Sequence, residues 1–276
     1  MKNVWFITGS SSGLGRVLTE EVLAKGDLVV ATARDQRKNQ DLVTRYAAQI
    51  LSIPLDVTKK SEIVSAIEKA TSHFGRIDVL VNNAGFGITG AAEAYSEEQV
   101  RSQYETNLLG PVEICRAIVP LMRKQRSGRI INISSIGGRL TSIGLSIYQS
   151  AKFGLSGFSE ALAKEVAPLG IKVTAIEPGG IKTNWGGSSM TFAEQVEGYE
   201  TTVDTRIAAF KNGQFKPKGD PQRMARVILD MVETPEPPLH LVLGSDAAAL
   251  LDQADNARAT EHKQWLHVTL STDAEA

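Results

Sequence analysis

Hydrophobic and polar positions along the chain alternate between two periods. Short, nearly continuous apolar or β-branched runs recur at Val4–Thr8, Leu28–Ala33, Ile50–Leu55, Val79–Val81, Arg129–Ser134, Lys172–Glu177 and Leu239–Leu243, which predicts seven strands. Between them, apolar residues return at helical spacing over Leu14–Lys25, Ser61–Phe74, Asn107–Arg123 and Tyr148–Ala167. Strands that alternate with helices pair in parallel through right-handed crossovers. The expected fold is α/β, a doubly wound parallel sheet of seven strands in a single domain, with ligands at the carboxyl ends of the strands.

Two stretches break the alternation. The segment 184–218 is long, rich in Gly, Ser and Thr, and dotted with Trp185, Met190, Phe192, Phe210 and Phe215. It reads as a lid that a ligand orders. Residues 246–276 follow the last strand, helix-like at first and polar at the end, and are expected to be a packed helix with a loose end beyond a main domain over 1–245. There is no internal repeat or interdomain linker.

Composition narrows the partners. A chain of 276 residues, 42% hydrophobic, can bury one large core. Thirty basic residues against 31 acidic ones leave a formal charge of −1, so nothing electrostatic points to nucleic acid or an anionic membrane. Small ligands fit better. The one cysteine, Cys115, lies in an apolar helical stretch beside Ile114 and Ile118 and reads as a buried small hydrophobe. No apolar run approaches membrane-spanning length, and the chain enters its first strand without a signal-like segment, so a cytoplasmic location is expected. His73, His240, His262 and His267 show no metal-ligand spacing with one another or with Cys115, so no metal is expected.

The first strand runs directly into Thr8-Gly9-Ser10-Ser11-Ser12-Gly13-Leu14-Gly15, which opens the first helix. That is the setting of a dinucleotide pyrophosphate site. Gly9 permits the tight turn, Gly13 lets backbone N–H groups approach the phosphates, and Gly15 allows close packing of helix on strand, while Ser11 and Ser12 add hydroxyl donors. The plainer reading of such a loop is an ordinary glycine-rich turn. The second strand ends Thr32-Ala33-Arg34-Asp35, with Ala33 where an NAD enzyme usually carries a ribose-binding carboxylate. Arg34 can instead meet a 2′-phosphate through charge-assisted bonds, so NADP is favoured over NAD. Asp35 argues the other way.

Tyr148 and Lys152, four residues apart, share one helix face. A free phenol titrates near ~10, and an adjacent cation favours its ionised form, which suits Tyr148 to carry a proton. Ser135, just after the fifth strand, can hydrogen-bond a substrate oxygen. A Tyr–Lys pair alone is commonplace on helices; its company makes it informative.

With that company the chain resembles the short-chain dehydrogenase/reductase family up to about Ser245. The motifs arrive in order: the glycine loop 8–15, Asp56-Val57, Asn82-Asn83-Ala84-Gly85, Asn107, Ser135, Tyr148 with Lys152, and Pro178-Gly179 followed by Thr183. The resemblance implies a Rossmann fold with strand order 3-2-1-4-5-6-7 and a catalytic tetrad of Asn107, Ser135, Tyr148 and Lys152. It implies that Gly9, Ser11, Ser12, Gly13, Leu14, Gly15 and Arg34 bind the cofactor's phosphates. Asp56 and Val57 would lie beside adenine, and Asn83, Ala84 and Gly85 beside the adenosine ribose. Lys152 would bind the nicotinamide ribose, Tyr148 would contact the cofactor as well, and Pro178, Gly179, Ile181 and Thr183 would lie beside the nicotinamide. Asn107 would hold a helix backbone open for a proton relay to Lys152. Homodimers or homotetramers built on the helices 107–123 and 148–167 are implied as well.

The expected activity is NADP(H)-dependent interconversion of a ketone or aldehyde and an alcohol. Phe86 to Glu93 is similar to the corresponding segment of relatives near the steroid and retinol dehydrogenases. With Leu140, Leu145, Trp185, Met190 and Phe192 near the expected cleft mouth, it favours an apolar substrate, unless these side chains simply pack the lid. One rival is a non-enzymatic NADP-binding redox sensor, for which loss of Tyr148 or Lys152 would be expected. A second is a sugar-nucleotide epimerase, whose glycine spacing and length do not match.

Overall fold

The computed structural model describes residues 2–183 and 190–274. Seven strands form one parallel sheet: β1 Val4–Thr8, β2 Leu28–Ala33, β3 Ile50–Pro54, β4 Val79–Asn82, β6 Gly128–Ile133, β7 Ile171–Pro178 and β9 His240–Leu243. Their order is β3-β2-β1-β4-β6-β7-β9, as expected. Alternation along β1 shows why the runs are apolar throughout. Val4 and Phe6 enter one core with Ile63, Ile114 and Ile118, from α3 Lys60–Phe74 and α5 Gly110–Gln125. Trp5 and Ile7 enter the other with Leu18, Val22 and Ile228, from α1 Gly13–Lys25 and α8 Pro221–Glu233. A sheet covered on both faces has no polar face to show.

The chain runs outward from β1 through β2 to β3, then returns to place β4 on the other side of β1. Helices α2 Gln40–Tyr46 and α3 supply crossovers on that half, and α5 and α6 Ser146–Val166 on the other. The carboxyl ends of β1 and β4 therefore diverge into a crevice at the switch of strand order. The glycine turn and Asn83 follow those two strands.

Beyond the sheet, β5 Gly87–Thr89 pairs with β8 Met190–Phe192 in a small second sheet that no sequence expectation covered. Of the segment expected to be a lid, 190–218 holds β8, a π-helical turn Glu200–Asp204 and α7 Thr205–Lys211. Residues 184–189, including Trp185 and the glycine-serine stretch, lie outside the described residues. After β9, α9 Ser245–Leu270 runs for 26 residues, and within it only Ala247 is buried. The packed helix expected there is corrected to a largely exposed one. Leu250 at one end and Trp265, Leu266, Val268 and Leu270 at the other remain exposed, and no continuous apolar stripe joins them.

Candidate active site

The turn after β1 leads directly into the amino terminus of α1. Gly9 and Gly13 hold φ of +65° and +55°, a region side chains rarely adopt. At Gly15 a Cβ would lie 2.2 Å from Asn83 Nδ2 and 2.5 Å from the Gly9 carbonyl, so only glycine lets α1 start this close to the sheet. Ser12 caps α1 without a side-chain hydrogen bond, which leaves first-turn N–H groups available to a ligand. Ser11 and Ser12 reach the surface, whereas Leu14 is buried and offers a ligand only its backbone. Facing this turn stands Thr183, whose Cβ lies 3.8 Å from where a Cβ on Gly13 would be. The loops after β1 and β7 thus form two walls of one crevice.

At the end of β2 the register is the expected one, because the strand stops at Ala33 and Arg34 is exposed. The Asp35 carboxylate is engaged by Arg37, at 2.8 Å from Nε and 3.0 Å from Nη2, and also accepts the Arg37 N–H. Those bonds hold the Asp35 carboxyl below its ordinary range. Arg34 lines a hollow of about 410 Å³ with Asp56, Lys59 and Lys69. Burial works against ionising Asp56, yet hydrogen bonds from Thr58, with Lys59 and Arg34 nearby, hold its carboxyl low. Val57 is buried.

Asn83 has a structural task. Its amide donates to the carbonyls of Thr8 and Gly9 at 2.9 and 3.2 Å, and the Thr8 hydroxyl accepts the N–H groups of Asn83 and Ala84, which ties β4 to the glycine turn. What the segment 83–85 leaves toward the crevice is mainly backbone. On the far side, Gly179 N–H donates to Leu243 and Gly180 N–H to Asp246, while Ile181 bridges to Gly219. Pro178 ends β7.

Tyr148 and Lys152 occupy the first turns of α6, and both are buried. The phenol shares a hydrogen bond with the Ser135 hydroxyl. Ser135 Oγ also accepts the Gly137 N–H at 3.0 Å, which leaves its own proton free to donate toward the phenol oxygen. Lys152 Nζ lies 5.9 Å from the centre of the Tyr148 ring and donates to the Ile133 carbonyl at 2.8 Å. Burial pushes Tyr148 up to about 12 against the lowering effect of Ser135, and it pushes Lys152 down to about 8. The expected lowering of the tyrosine is thereby reversed in sign in the absence of ligand, because both groups lose water.

Asn107 sits in a π-helical turn, Glu105–Leu109, between α4 Glu97–Tyr104 and α5. Its amide donates to the Phe86 carbonyl at 3.0 Å and accepts the Phe86 N–H at 3.3 Å. Gly85 lies between the two polar groups, since a Cβ there would meet Asn107 Oδ1 at 2.7 Å and Lys152 Nζ at 3.7 Å. So Asn107, Ser135, Tyr148 and Lys152 converge beside Gly85 and the start of α6, while the glycine turn and Thr183 face each other across the crevice.

One buried group here escaped the sequence reading. Glu177 is fully buried in β7, where Arg139 donates to it at 3.2 Å and Ser156 at 3.3 Å, and His240 Nδ1 lies 2.8 Å away. Ser156 continues through Ser134 to the Lys152 carbonyl, tying β7 to the backbone of α6. A carboxylate following the apolar pair Ala175-Ile176 in a strand of the central sheet was the available signal. Among the described residues no cluster of His, Cys, Asp or Glu could hold a metal, and no helix is long and apolar enough to cross a membrane.

Comparison with known proteins agrees with this geometry. Residues 3–192 match the family model described as short chain dehydrogenase. The chain is 39% identical over 273 residues to Oxidoreductase BOA17 of Botryotinia fuckeliana strain B05.10, covering 99% of this chain and 100% of that one. A short-chain dehydrogenase from Streptomyces avermitilis superposes with a TM-score of 0.94 at 38% identity, covering 99% and 100% of the two chains. ElxO with NADP bound superposes with a TM-score of 0.76 at 26% identity, covering 90% and 100%. The sheet order, the ordered motifs and this near full-length likeness carry one conclusion: the chain belongs to the short-chain dehydrogenase/reductase family, as an oxidoreductase acting on CH–OH groups.

Proposed function

We propose that this enzyme interconverts a carbonyl compound and an alcohol with NADP(H), and that Tyr148 passes the proton. The observation that carries the reading is the buried Tyr148 phenol, hydrogen-bonded to Ser135 with the Lys152 ammonium 5.9 Å from the centre of its ring.

NADP(H), when bound, supplies or accepts the hydride. The turn residues Gly9, Ser11, Ser12, Gly13, Leu14 and Gly15 hold its pyrophosphate by backbone N–H and hydroxyl groups. Arg34 takes the 2′-phosphate, Asp56 and Val57 the adenine, and Asn83, Ala84 and Gly85 the adenosine ribose, largely through backbone. Tyr148 and Lys152 hold the nicotinamide ribose, with Pro178, Gly179, Ile181 and Thr183 at the nicotinamide. ElxO, solved with NADP, supports the cofactor, and the commitment of Asp35 to Arg37 supports NADP over NAD.

In reduction, Ser135 donates to the substrate oxygen and Tyr148 delivers its proton there. A phenol held near about 12 keeps that proton at neutral pH, which suits the reductive direction. Lys152, at about 8, is still mostly charged at neutral pH and stabilises the phenolate as it forms. Asn107 keeps the Gly85–Phe86 backbone against Lys152.

Support for a wholly apolar substrate narrows, because Leu140, Leu145 and Met190 are buried in packing. We take only part of the substrate to be apolar. A homodimer or homotetramer built on α5 and α6 is part of the reading, supported by exposed Leu109 and Phe153, and sedimentation as a monomer at micromolar concentration contradicts it. The buried thiol of Cys115 suits a reducing, cytoplasmic setting.

The test is carbonyl-dependent NADPH consumption by wild type and Tyr148→Phe. Removing the proton donor lowers kcat about 10²- to 10⁴-fold while NADPH affinity stays within a few-fold. Retention of more than about a hundredth of the rate contradicts the role.

A further inference from the structure

An open cleft of about 660 Å³ lies between the loop that precedes α6 and the start of α7. One wall is Thr141, Ser142 and Ile143, from the loop that leads from the Ser135 turn into α6. The other is Thr201, Thr202, Thr205, Arg206 and Ala209, from the π-helical turn and α7. Five hydroxyls and one guanidinium thus face a space the size of an organic substrate.

Arg206 is half-buried, and its Nε is closed to solvent with no hydrogen-bond partner among the described residues. Burial lowers its pKa, and no carboxylate among those residues offsets the effect. The Phe210 ring lies 5.3 Å from Cζ, and Cδ packs toward the backbone of Gly144. An aromatic face does not satisfy N–H groups that point outward in the guanidinium plane. Nη1 and Nη2 are not closed off in this way, and a carboxylate matches the pair of N–H groups they present. Among the described residues that line the cleft Arg206 alone is charged, so a monoanion is balanced where a phosphate dianion is not.

We infer that Arg206 is the specificity-determining residue of this cleft and that the substrate carries a carboxylate, making the reacting pair an oxo acid and its hydroxy acid. The surrounding hydroxyls complete the carboxylate's hydrogen bonds, and Ile143 and Ala209 meet the carbon skeleton. This rests on the reading above that the neighbouring Tyr148 site reduces carbonyls. The reaction balances as before: the carbonyl carbon gains hydride from NADPH, its oxygen gains the Tyr148 proton, and the carboxylate is unchanged.

The experiment compares oxo acids, with the ketone at increasing distance from the carboxylate, against their methyl esters and against phosphorylated ketones. Wild type, Arg206→Lys and Arg206→Met are assayed by NADPH consumption. In parallel, binding of the oxo acids and hydroxy acids to the NADP⁺-loaded protein is measured by calorimetry. The best acid should exceed its ester by at least about 10-fold in kcat/KM, and Arg206→Met should lose about 10- to 150-fold on the acid while changing the ester little. Arg206→Lys should fall between. NADPH affinity and the unfolding temperature should hold, and if Arg206→Met does not fold, wild type against Arg206→Lys on acid and ester carries the comparison. Equal use of acid and ester, preference for phosphate, or indifference to Arg206 overturns the inference while leaving carbonyl reduction intact. Arg206-dependent calorimetric binding of a carboxylate without turnover of any carbonyl keeps Arg206 as a carboxylate site and overturns the oxo-acid reaction. Neither turnover nor such binding overturns both.

Discussion

Tyr148 and Lys152 shift in opposite directions from one cause. Burial disfavours whichever form is charged, the phenolate in one case and the ammonium in the other. The lysine shift has a consequence for stability. Its folded value, about 8, lies below the 10.5 of an ordinary lysine, so between those pH values the unfolded chain binds the extra proton and the folded chain does not. Stability from this group therefore rises with pH across that window, by about 3 kcal/mol in all, and is flat below it. Chemical denaturation of wild type and Lys152→Met from pH 7 to 10 reads the difference, which cancels the opposing contribution of Cys115 common to both proteins. A gap between the two that does not change with pH contradicts the burial assigned to Lys152.

At the same scale, Arg34 should decide the cofactor. Charge-assisted bonds to a 2′-phosphate are worth about 1.5 to 3 kcal/mol, so Arg34→Ala should cost about 10- to 150-fold in kcat/KM for NADPH and little for NADH. An unchanged NADPH:NADH ratio in the mutant tells against this role. Ser135, Tyr148 and Lys152 were legible because their spacing is fixed by one strand end and one helix start. The commitment of Asp35 to Arg37 was not, since two exposed charges two residues apart read as independent until the chain turns. Arg206 was hidden for a similar reason, as a charge in a lid-like segment reads as solvated.

Among elements, the join of β1 to α1 carries the tightest steric demand. A methyl at Gly15 meets Asn83 Nδ2 and the Gly9 carbonyl at distances no real side chain shows, and both atoms belong to the bonds that fix β4 to the turn. Gly15→Ala should cost about 1–3 kcal/mol of stability and weaken NADPH binding by shifting the helix start. Thermal unfolding with and without NADPH measures both, and a mutant matching wild type in the two scans shows that the turn has slack. The strands of the sheet were legible because burial on both faces leaves continuous apolar runs. The β5–β8 sheet was not, since three-residue strands carry no period. No expectation covered α8, although Asp220 and Pro221 mark its start and Met224, Ile228 and Met231 give its buried face. The π-turn at Asn107 was not read from the pattern, because the helical run was expected only from Asn107 onward and α4, which precedes the turn, was not expected.

For the whole molecule, the parallel sheet gathers the glycine turn, the β4 end, Ser135 and the loop after β7 onto one edge, although they are far apart in sequence. That gathering is why the order of motifs was informative before any coordinates. It could not give the shape of the cleft or the projection of α9, which touches the body through Asp246 at Gly180 and through Arg258 at the Arg139 carbonyl. The molecule as a whole is read as a device that moves a hydride between NADP(H) and a carbonyl carbon while Tyr148 moves one proton. Incubation with NADPH deuterated at the transferable C4 position, followed by mass analysis of the alcohol formed from an accepted oxo acid or ketone, tests that directly. The account predicts one deuterium on the carbinol carbon, from a single face of the nicotinamide, and almost no alcohol from Tyr148→Phe, with deuterium still present in whatever forms. Alcohol formed without deuterium, or deuterium lost to solvent before transfer, would contradict it.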